Sequence, residues 1–191
     1  MDFQGTSINS AENELLARIS QLPANVQEGL RNGTLKIVDS IIYSTKVLDS
    51  SSKELMSAAD NKVEGITNIN NRKLEALNYF ILDSVRLQTA TVSATTDAAL
   101  AGASFDTPAD FVANGELEIL VAGKTAFPRN SCQIFKNATN ERSGEFKLNC
   151  KRVFAPQSEI VPTLRVLGSA MPSDSTTAVR IELIGAMVIP A

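Results

Sequence analysis

The chain has 191 residues, 43% of them apolar and 20% charged, which suits one sizeable globular domain or two small ones. It contains no histidine, so a Ser-His-Asp triad is excluded and the commonest general base and metal ligand are missing. The net charge of −3 is spread without a basic arm: of 18 Lys/Arg and 21 Asp/Glu, nine and twelve precede Phe105 and nine and nine follow it, so direct nucleic-acid binding is not expected.

The opening residues, MDFQGTSINSAENELL, have neither a basic nor an apolar leader segment, and no secretory signal is expected. A first helix is predicted from a cap at Asn9 or Ser10, with Leu15, Leu16, Ile19 and Leu22 on one face and Pro23 at its end. A second runs from about Ala24 to Leu48 and carries Val26, Leu30, Ile37, Val38, Ile41 and Ile42. Ser51 and Glu54 then form a capping-box pattern ahead of Leu55, and helical spacing continues to about Thr91. Along it Val63, Ile66, Leu74, Leu77, Ile81 and Val85, with Asn70 among them, form a stripe like a coiled-coil or bundle seam. That stripe is the expected oligomer interface. The stretch 67-TNINNR-72 admits two readings: a buried Asn70 that fixes register, or a turn between two antiparallel helices.

Small residues fill 90–104, which reads as a connector. Beyond it the period changes to two, and six of the seven prolines follow residue 105. Strands are predicted at 115-GELEILV-121, 131-SCQIFK-136, 145-EFKLNCKRVF-154, 160-IVPTLRVLG-168 and 178-AVRIELIGAMVI-189, with Pro162 marking an edge or an early strand position and Gly185 a bulge. The expected fold class is α+β. Residues 1–105 form a helical oligomerisation and anchoring region, and 106–191 an antiparallel β-sandwich or simplified jelly roll. The β half is expected to fold by itself.

Candidate chemistry is sparse, and no catalytic, cofactor-binding or metal site is expected. Lys53 beside Ser51 and Ser52 lacks the apolar setting that would depress its pKa, so a Ser-Lys dyad is not expected. Glu116 and Glu118 point the same way from one strand, where solvation explains them better than catalysis or Ca²⁺ binding. Arg129, Lys147, Lys151, Arg152 and Arg165 give the β half a mildly basic, solvated face. Cys132 and Cys150 read as buried free thiols, with a cross-strand disulfide as the alternative. The sequons at Asn32 and Asn137 carry no weight without a leader, and the longest apolar run, 184-IGAMVIPA-191, is too short to span a membrane.

The capped stretch 51-SSKELMSAADNKVEGITNIN-70, the small-residue connector 90–104 and the turn-punctuated β half resemble, in layout, bacteriophage virion proteins of the fibre, spike, vertex or decoration type. That resemblance implies a homo-oligomer, often a trimer, located in the virion and contacting other virion proteins. The alternative with the same plan is a bacterial surface or secretion-apparatus adhesin. A third reading is a small-ligand-binding β domain.

Overall fold

The computed structural model describes residues 19–136, 143–173 and 176–191. Eight strands account for nearly half of them: β1 (Leu35–Val47), β2 (Ser52–Glu54), β3 (Tyr79–Val92), β4 (Glu116–Val121), β5 (Lys124–Ser131), β6 (Glu145–Phe154), β7 (Ile160–Arg165) and β8 (Thr176–Pro190). The helices are short: α1 (Ala24–Arg31), α2 (Asp97–Ala101), α3 (Asp110–Ala113) and α4 (Gln133–Lys136).

The α+β expectation is therefore corrected to a mainly antiparallel β fold with no helical coiled-coil region among the described residues. The helix expected from Ala24 to Leu48 stops at Arg31, and Gly33 turns the chain in the left-handed region (φ 77°) into β1. Ile37, Val38, Ile41, Ile42, Thr45 and Val47 then favour the pleat, where β-branched side chains pack well. The helix expected at 51–91 is β2, a long connection and β3. β3 is buried on both faces, so its apolar residues run almost continuously and show no alternation. The connector expected at 90–104 is partly ordered: β3 runs to Val92, and α2 is capped by Thr96 Oγ1 accepting the Ala99 N–H (3.4 Å). The helix expected from Asn9 or Ser10 falls mostly on residues 1–18, outside the described ones.

The strands form two sheets of four, in the orders β1-β8-β3-β6 and β2-β7-β4-β5. The antiparallel pairs β1·β8, β2·β7, β3·β6 and β4·β5 describe one long hairpin wrapped over itself, which is the jelly-roll connection. Strands from either side of residue 105 thus interleave in both sheets. β4, β6, β7 and β8 fall where strands were expected, but the segment expected as a strand at 131–136 ends in α4. Of the two places Pro162 suggested, β7 is not an edge, but Pro162 does stand early in it, as its third residue. Pro162 O accepts the Leu55 N–H (2.8 Å), and its missing N–H ends the β2 ladder at Glu54↔Thr163.

Between the sheets, Phe80, Leu82, Leu87 and Ile181 meet Leu117, Ile119, Ile160 and Leu164 in one apolar core. The scarce aromatics are concentrated there: Phe127, Phe135 and Phe146 stack with centroids 6.3–6.4 Å apart. The outer face of the first sheet is covered in two places. Leu22 and Val26 pack on Ile81 and Val188, while Leu100 and Ile66 pack on Val92 and Ala178. Gly185 lies opposite the bulge in β3, where an added Cβ would come 1.9 Å from Ile81 O.

Candidate functional site

The long connection between β2 and β3 is held down on both sides. On one side it caps the outer edge of β1. The Asn68 amide accepts from the Tyr43 N–H (2.9 Å) and donates to Ile41 O (2.6 Å), while Ile66 O accepts the Thr45 N–H (2.9 Å). A side-chain amide thus stands where a fifth strand's backbone would pair. On the other side Arg72 O accepts the Ile160 N–H (2.8 Å), Leu74 O accepts from Gln157 Nε2 (3.0 Å), and the Arg72 guanidinium bridges Glu54 (2.8 Å) and Glu159 (3.5 Å).

Pinned in this way, the connection forms one side of a half-open cavity of about 300 Å³. Ile42, Ile69, Leu74 and Met187 make its apolar floor, and Lys62 and Glu75, ion-paired to each other, stand on its rim. Asn70 fixes that rim by accepting the Lys62 N–H (2.7 Å). The arrangement suits an apolar group with a polar surround. It offers no nucleophile–base pair.

The residues expected to form one helical seam do not share a face. Ile81 and Val85 lie in β3 with no exposure, on opposite sides of its bulge, Ile81 under α1 and Val85 in the central core. Ile66 and Leu74 are buried within the chain, whereas Val63 (37%), Leu77 (69%) and Asn70 are exposed. Their spacing of three and four residues comes from a loop followed by a doubly buried strand. The stretch 67-TNINNR-72 is neither of the two readings: no helix flanks it, and its asparagines serve as backbone surrogates.

A second polar group, unmarked by any motif, crosses the outer face of the first sheet. Glu182 of β8, 6% exposed, accepts from Arg86 Nε (2.7 Å) through one oxygen and from Arg180 Nε (2.9 Å) through the other. The Arg180 guanidinium lies 4.4 Å from the centroid of the Tyr43 ring. Alternation along 178–183 places Arg180 and Glu182 on one face, but only the β3–β8 register reveals Arg86 opposite Glu182.

The other singled-out residues have structural partners. Glu116 pairs with Arg129 (2.5 Å), Glu118 with Arg165 (3.2 Å), Lys53 with Asp49 (2.8 Å) and Lys151 with Asp83 (3.1 Å). The Lys53 contact holds the Asp49 carboxyl below its usual range. Lys147 and Arg152 are exposed on β6. No group of three potential metal ligands occurs among the described residues, and none of their helices is long and apolar enough to cross a membrane.

Both cysteines are free, but the expectation that both are buried is corrected: Cys132 is buried and Cys150 exposed. Pairing with β3 jumps from Ser84↔Lys147 to Leu82↔Arg152, and Cys150 lies in that break, where the inward alternation of Phe146 and Leu148 is lost. Burial, with the Glu116 carboxylate adding, pushes the Cys132 thiol up to about 12. A disulfide-exchange reagent should modify Cys150 readily in the native protein and reach Cys132 only on unfolding; rapid double labelling would contradict this. The unfolded chain loses the Cys132 proton first, so its stabilising contribution is full below about pH 9 and falls as pH rises toward 12.

Compared with known proteins, the chain matches no family model and no curated sequence.

Proposed function

We propose that the chain is a non-enzymatic structural protein of a virus particle, a bacteriophage capsid, vertex or fibre component that acts by assembling with its own copies. The observation that carries the reading is the β1-β8-β3-β6 and β2-β7-β4-β5 wrapping. Jelly rolls of this kind serve as viral shell domains, lectins and cupins. The sequence lacks the histidines that cupin-type metal chemistry draws on. Its two tyrosines are engaged, Tyr43 under Arg180 and Tyr79 among the residues packed by α1, rather than set out as a sugar-stacking platform. Shell assembly asks only for a rigid body with complementary faces.

Native mass spectrometry and light scattering over a concentration series test the reading. Closed homo-oligomers, with trimers favoured, or larger regular particles are the expected result. A strictly monomeric chain up to its solubility limit, showing turnover or tight small-ligand binding, would overturn it.

A further inference from the structure

Leu77 combines three unusual features. It is 69% exposed, and among the described large apolar residues only Leu167 is exposed to a like degree. It sits third in the turn Glu75-Ala76-Leu77-Asn78, closed by the Asn78 N–H donating to Glu75 O (3.3 Å), with φ at 74°. That position normally takes glycine or asparagine, and a leucine there strains the backbone. Its neighbours Glu75 and Asn78 also line the 300 Å³ cavity, so an apolar knob stands beside an apolar-floored socket.

We propose that this face is a contact between two copies of the chain, in which Leu77 of each enters the other's cavity over Ile42, Leu74 and Met187. The inference rests on the assembly reading above and names one surface of that assembly, a two-fold contact separate from any that would close a trimer. Knob and socket adjoin on one loop, so a two-fold contact satisfies both at once and closes. The rim suits a copy of itself, because Lys62, Lys73 and Glu75 bring both signs to it, with Lys73 paired to Glu159 (3.3 Å), and a one-signed rim would repel its own duplicate. The cavity volume lies at the bottom of the range for small-molecule sites and has room for one leucine side chain.

The test is Leu77→Asn, with Leu167→Asn as control, a leucine 71% exposed that does not line the cavity. Asparagine accepts a positive φ, so the variant should melt at or above the wild-type temperature as a monomer. Sedimentation should show its self-association at least tenfold weaker, since burying a leucine is worth more than one tenfold step, while Leu167→Asn matches the wild type. The Met187 methyl resonance should move with concentration in the wild type and stay fixed in Leu77→Asn. Unchanged association of Leu77→Asn would overturn this contact and leave the assembly reading standing. Equal weakening by both variants would overturn it as general surface stickiness. A wild type monomeric at every concentration would remove both. A Met187 shift produced by a short fatty acid, and not by protein concentration, would assign the cavity to a small amphiphile and overturn the contact.

Discussion

A fragment from Thr107 to Ala191 is expected to remain unfolded, contrary to the independence its composition suggests. The cut removes β1 and β3, the two neighbours of β8, and leaves β6 with no partner in its sheet. β6 and β8 do not touch in the sheet order, so nothing replaces the lost ladders. Val179, Ile181 and Leu183, fully buried in the intact chain, would face water together with Leu117, Ile119, Ile160 and Leu164. Each large side chain so exposed forfeits about 1.5–3 kcal/mol, and the sum for these seven, about 10–21 kcal/mol, is as large as the total stability of an ordinary domain. Far-UV circular dichroism and amide dispersion read the outcome. A cooperative, β-rich melt of the fragment would refute the interleaved sheets.

Replacing Glu182 by alanine should cost about 3 kcal/mol of unfolding free energy, at the low end for breaking a buried ion pair. Its carboxylate separates two guanidinium groups, and its removal leaves Arg86 and Arg180 facing each other with their charges unmatched. Both keep roughly a fifth of their side-chain surface exposed (18% and 21%), and that solvation holds the cost near the low end. Glu182→Gln retains shape and one acceptor, so its loss should be smaller. Urea midpoints at neutral pH check both; an alanine variant as stable as the parent would show the cluster to be fully solvated.

How far the fold could be read from the residues depended on which strands are wet on one face. β4 alternates intermediate and buried positions without a break, and its segment 115–121 was legible for that reason. β3 has no such contrast: Phe80, Ile81 and Leu82 are all buried, and the four-residue step from Ile81 to Val85 imitates a helical turn while crossing a bulge. The Ser51–Glu54 pattern, a good cap in front of a helix, here runs into the three-residue strand β2, whose last residue is Glu54, because pairing with β7 overrides local preference. The signal that could have corrected the reading was β-branching, concentrated in β1 at Ile37, Val38, Ile41, Ile42, Thr45 and Val47. Asn70 reads from the sequence as a polar member of the stripe and Asn68 as part of 67-TNINNR-72, yet their use as surrogate backbone depends on which backbone groups lie beside them. Leu77 carried no local mark of exposure, since left-handed φ at a leucine is visible only in the folded chain.

The place of β8 between β1 and β3 also bears on how the molecule comes into being. During vectorial synthesis β1 and β3 emerge long before the strand that joins them, and neither pairs with the other. Until β8 arrives, Ile42, Leu82 and Val85 wait without their lattice, attached to a chain already rich in unpaired edges. Contacts so distant in sequence put the domain among slow folders, on the millisecond-to-second scale typical of all-β proteins. A nascent chain of this kind is exposed to aggregation while it waits. In the folded chain the Asn68 clamp closes the outer edge of β1 through a segment made soon after it, while β8, made last, pairs along the other side.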